Sequence, residues 1–139
     1  MSRYTPTRSF AALGEAGIPI IYGATNAFPY KVGLKHESWK NVEKLLESAA
    51  NFSVMSDHPV TLHRNLFYSQ RYLLRFGTSK AEAKSKITHE PTKIIGAKNI
   101  GKIKQGFKAS LGVWSKDLIS HAACPTMVVV EGKVVDELA

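Results

Sequence analysis

Apolar residues at 18, 20, 21 and 22 stand between Gly17 and Gly23. An apolar run this short, bounded by glycines, predicts a buried strand. Pro19 has no ladder donor, so it belongs near the strand start or on an edge. Val42, Leu45, Leu46 and Ala49 then recur at helical spacing behind Ser38. That pattern predicts a helix with one apolar face and a serine placed to cap it. Residues 52 to 55, Phe-Ser-Val-Met, are the next strand. Strand, helix, strand predicts a βαβ unit with a parallel, right-handed connection.

Residues 1 to 10 read as a loose arm. Residues 11 to 16 read as a short helix that Gly17 can cap. Gly23, Asn26 and Pro29 mark a loop after the first strand. Beyond the second strand, Leu62, Leu66, Leu73 and Leu74 predict a helix over residues 61 to 76. Ser79 and Glu82 form a capping box that opens a helix running to about Ile87. Pro91 and Thr92 begin a last helical turn that ends at Gly96. The helical period then fades. Ile103, Leu111 and Val113 read as short strand pieces between glycines 101, 106 and 112. "TMVVVEGKVV", residues 126 to 135, predicts a hairpin turning at Glu131-Gly132. The chain thus divides into an α/β segment over residues 1–96 and a small β-rich segment over residues 97–139.

Composition narrows the class. With 139 residues, 44% of them apolar and 22% charged, the chain has the profile of a globular domain with a real core. No apolar run approaches the roughly 18 residues that span a bilayer. The amino-terminal stretch MSRYTPTRSF has no apolar signal core. The lone Cys124 excludes an internal disulfide. Together these predict a cytoplasmic protein that does not engage a membrane. The net charge of +8 is concentrated in residues 80 to 116, which carry nine lysines against Glu82 and Glu90. These lysines are interspersed with apolar residues and accompanied only by Phe107 and Trp114. Without arginine clusters or stacking aromatics the pattern argues against nucleic acid.

Asp57 is the candidate for chemistry. A carboxylate at the carboxyl end of a parallel strand stands where barrels and open α/β sheets hold their active sites. There it can ligate a divalent metal or accept a proton from an attacking water. His58 beside it can hold substrate or a developing oxyanion. The alternative is that Asp57 caps the following helix and His58 packs in the loop. His58 and His63 are five apart, not the four that places two ligands on one helix face. His36, His89 and His121 are isolated in sequence, and no phosphate-loop, zinc-protease or nucleophile-elbow motif is present.

Three stretches together resemble the carboxyl-terminal part of the metal-dependent amidohydrolase superfamily, in particular members similar to imidazolonepropionase. They are "MSDHPV" at 55 to 60, "ITHEPTKIIGAKNIGKIKQGFKASLGVW" at 87 to 114 and "PTMVVVEGKVV" at 125 to 135. The second is the most specific, through its length, its glycine positions and its terminal Trp114. The family pattern has an aspartate and a valine where this chain has Ser110 and Gly112. The resemblance implies a partial (β/α)8 barrel, about its last two βα units, followed by a small β part of the composite domain. Residues 18 to 22 would be the seventh strand and residues 52 to 55 the eighth. Asp57 would be the metal-binding, proton-accepting aspartate, and His58 a substrate neighbour. The implied cofactor is a divalent metal, zinc first. The family's His-x-His pair and other ligands have no counterpart here, and a full barrel takes about 250 residues. A catalytic zinc takes three protein ligands. Two functions follow as expectations. One is hydrolysis of cyclic amide or amidine C–N bonds when a complementing amidohydrolase chain supplies the rest. The other is a non-catalytic, homo-oligomeric binding or assembly module that holds no metal.

Overall fold

The computed structural model describes residues 6–25, 32 and 35–137. Helix α1 (Pro6–Glu15) is packed inward through Phe10, which meets Tyr22 edge-on at 5.7 Å. The helix thus starts inside the stretch expected to be a loose arm; Phe10 has an aromatic partner, and burying it fixes the turns around it. Gly17, at φ 67°, ends the helix while Ile18 N–H reaches back to Leu13 O at 2.9 Å. An L side chain disfavours that conformation, and glycine does not.

Strand β1 (Ile20–Tyr22) pairs in parallel with β2 (Phe52–Val54), with Ile20 opposite Phe52 and Tyr22 opposite Val54. Between them lies α2 (Asn41–Glu47), whose Val42 and Leu45 are fully buried. Its start falls after Lys40, with no side-chain cap; Ser38 instead accepts Lys40 N–H at 3.3 Å, inside the preceding turn. Asn41 is buried and donates its amide to His36 O at 3.0 Å, which ties the loop to the helix. Asn26 and Pro29, part of the expected loop, lie outside the described residues.

Helix α3 (Asn65–Arg75) begins later than its leucine pattern predicts, because residues 61 to 64 form a bend and a turn, with Asn65 N–H bonded to Leu62 O at 2.9 Å. Leu73 and Gln70 are fully buried on its inner face. Helix α4 (Lys80–Ser85) opens with the expected cap: Ser79 Oγ accepts Glu82 N–H at 3.2 Å, a bond of the kind that contributes about 1 kcal/mol. Helix α5 (His89–Ile94) packs against β2, and Gly96 ends it at φ 71°. Phe10, Tyr22, Val42, Leu45, Phe52, Val54, Leu73 and Ala83 form one apolar cluster. All of β2 is buried, and Val54 N–H is satisfied by Lys86 O at 3.2 Å. Ile21 of β1 and Ile18 ahead of the strand are more than two-fifths exposed, and Met55 after β2 is also exposed.

A second sheet, ordered β3-β4-β5, is antiparallel and comprises β3 (Leu111–Trp114), β4 (Pro125–Val130) and β5 (Lys133–Glu137). Glu131 and Gly132 both take positive φ, 49° and 82°, the pairing that a two-residue hairpin turn demands. Ser110 Oγ, where the family pattern has an aspartate, accepts Glu131 N–H at 3.1 Å and so holds this turn. Ile103 forms no strand and is almost wholly exposed. Trp114 reaches Phe67 of α3 at 5.0 Å. Lys80 and Lys84 of α4 pair with Asp117 at 3.4 and 3.0 Å. The Ile119 N–H at this carboxylate, with the Lys84 ammonium, pulls its pKa down to about 2.

Candidate functional site

β1 and β2 run the same way, so their carboxyl ends open on one side. The ladder continues one step past Val54, through Met55 N–H to Tyr22 O at 2.9 Å. Gly23 permits that step: a Cβ there would fall 2.2 Å from Met55 O. Asp57 then turns the chain at φ 61°, a left-handed conformation that aspartate tolerates better than most residues. Thr61 closes the turn, its N–H to Asp57 O at 3.2 Å and its hydroxyl to Ser56 O.

The Asp57 side chain is left exposed at the strand end and has no ion-pair partner among the described residues. It does not cap α3, which begins only at Asn65 with Arg64 as its cap residue. His58 is exposed beside it, its ring edge-on to His63 at 5.3 Å. The spacing of five therefore does bring the two imidazoles together, by way of a turn rather than a helix face. The remaining histidines lie elsewhere. Among the described residues no three His, Cys, Asp or Glu side chains group to hold a metal ion. The donors present thus supply one carboxylate and do not themselves fit a zinc centre, which needs three ligands. Burial, aided by the Lys102 and Lys93 charges, shifts His89 toward its neutral form. Cys124 is exposed, with Ser115 Oγ at 3.3 Å from its sulfur.

Near Tyr22 the chain builds a polar contact the sequence did not signal. The Tyr22 hydroxyl donates to Glu37 at 2.8 Å, and burial together with that carboxylate raises its pKa far above the ordinary tyrosine value. A cleft of about 200 Å³ lies along α3, bounded by Thr25 after β1 and by Asn65, Tyr68, Ser69, Arg71 and Tyr72. Asp57 and His58 do not line it. Positions 65, 68, 69 and 72 share one helix face, which is a readable spacing, but nothing in sequence ties that face to Thr25.

The amidohydrolase family profile matches residues 6–135. No curated protein sequence matches. Among solved structures, an amidohydrolase from Thermotoga maritima MSB8 superposes with a TM-score of 0.86 at 27% identity, over 94% of this chain and 34% of that one. Another amidohydrolase superposes at a TM-score of 0.58 and 17% identity, over 94% of this chain and 32% of its own, a likeness of fold alone. The chain thus spans about a third of the length of the solved amidohydrolases it matches. No helix among the described residues is long and apolar enough to cross a membrane.

Proposed function

Because the chain belongs to the amidohydrolase family, we propose that it forms the closing part of a hydrolase site for non-peptide C–N bonds, those of cyclic amides or amidines as in imidazolonepropionase-like members. In this reading β1 and β2 are the last two strands of a (β/α)8 barrel, and β3 to β5 belong to the small β part beside it. The observation that supports it is the free Asp57 carboxylate at the open end of a parallel strand. Asp57 accepts the proton of the attacking water, and His58, exposed on the same turn, contacts the substrate. The described donors alone do not hold a metal there, so a metal in such a site would need further ligands. These come from outside the described residues, in a longer polypeptide or a complementing chain.

The test is hydrolysis of a cyclic amide by this chain combined with the His-x-His-bearing part of an amidohydrolase. Activity that a chelator removes is expected. Asp57→Asn should abolish it while changing unfolding stability by less than about 0.5 kcal/mol, since the side chain is exposed. Unaltered turnover in Asp57→Asn would overturn the assignment.

The exposed apolar side chains of Ile18, Ile21 and Met55 favour a second reading, a homo-oligomeric assembly module in which copies cover them. Light scattering on the chain alone should then give a multiple of 15.3 kDa, and Ile21→Glu should reduce it to the monomer. A monomeric mass at high concentration would sink this reading.

A further inference from the structure

The cleft along α3 carries a separate inference, which does not rest on Asp57. Arg71 is half-buried at its wall, with its guanidinium carbon 5.0 Å from the Tyr68 ring and one terminal nitrogen bonded to His121 Nε2. Two rings from different parts of the chain therefore hold the guanidinium in place. The ion pairs among the described residues are all made by lysines, so this arginine faces no acid. A guanidinium has five N–H donors in a planar fork, of which the contact with His121 uses one. Among the described residues no acidic side chain lines the cleft either.

The remaining wall is mostly apolar, with a few polar groups set into it. Thr25 and Ser69 are both buried; the Thr25 hydroxyl donates to Ser69 Oγ at 3.0 Å, and Ser69 donates on to Asn65 O at 3.3 Å. This relay ties Thr25, just after β1, to α3. Asn65, Tyr68 and Tyr72 complete the lining. The volume equals that of roughly seven liquid waters, room for one tetrahedral or carboxylate group with a short carbon stem.

We propose that this cleft binds a small oxyanion, a phosphate or carboxylate group of a metabolite-sized ligand, with Arg71 as its counter-charge. Arginine suits the task because its fork matches two oxygens at once, and a guanidinium already held by neighbouring rings loses little freedom on binding.

The full chain can be titrated with inorganic phosphate, and separately with acetate, at constant ionic strength held with sodium chloride. Amide and arginine Nε resonances are followed by NMR. Saturable shifts confined to Arg71 Nε, Ser69 and the Asn65 side-chain amide are expected, and the stronger of the two probes identifies which oxyanion the cleft prefers. Arg71→Gln should weaken binding about tenfold, as loss of a charge-assisted contact does. Arg71→Lys keeps the charge and the stem, so it protects the test against misfolding; it should weaken binding severalfold because the fork is gone. No saturable shift with either anion would overturn the proposal. So would binding unchanged in both variants, or shifts centred on the lysine-rich loop at 98 to 104.

Discussion

Leu73→Ala should lower the free energy of unfolding by about 2–5 kcal/mol, the range for deleting a buried leucine side chain. Leu73 is wholly buried, and it joins α3 to the cluster formed by Phe10, Leu45, Phe52 and Val54. Its neighbour Gln70 is equally buried, and the Gln70 side-chain oxygen has no partner among the described residues. A domain of this kind is stable by roughly 5–15 kcal/mol in total, so the loss is a large share. Urea denaturation should show a lower midpoint at unchanged slope. Leu62→Ala is the matched control: that side chain is 46% exposed, and its loss should cost less than about 1 kcal/mol. Equal losses in the two variants would mean that the cluster around Leu73 is not the core.

Gly23→Ala should destabilise by about 1–3 kcal/mol, through overpacking rather than lost contact. The added Cβ would fall 2.2 Å from Met55 O and 2.9 Å from Met55 C, and backbone atoms cannot swing aside as a side chain can. The strand ends must separate, and the bond from Met55 N–H to Tyr22 O stands in the way. Because Asp57 lies only two residues beyond Met55, the same substitution should displace the candidate site. Chemical denaturation measures the first effect. Amide shifts at Met55, Ser56 and Asp57 in the folded variant measure the second. A Gly23→Ala chain with wild-type stability and unshifted strand-end amides would contradict this packing.

Much of this arrangement is legible in the sequence where local chemistry decides. Ser79 and Glu82 mark a helix start, and Glu131-Gly132 a hairpin, because one side chain or one φ angle settles each. The parallel pairing of β1 and β2 follows from short apolar runs around an amphipathic helix. Asp57 can be placed at a strand end for the same reason. Boundaries set by packing are harder to read. Phe10 draws α1 out to Pro6, although the first ten residues carry little apolar pattern. The bend and turn over residues 61 to 64 use positions that leucine spacing assigns to α3. Contacts between distant parts are illegible altogether: Thr25 meets Ser69, and Arg71 meets His121, without any local signature. Exposed apolar side chains are foreseeable from two strands with helices on one side, though that they are Ile18, Ile21 and Met55 follows only from the packing.

Every residue of β5 is exposed, whereas every residue of β2 is buried. The terminal hairpin is therefore held chiefly by its backbone ladder, and the desolvated centre by side-chain burial. Such a molecule has a graded hierarchy of opening. Hydrogen exchange reaches the last strand through small excursions that leave the interior intact, and reaches Phe52 to Val54 only when the whole fold is lost.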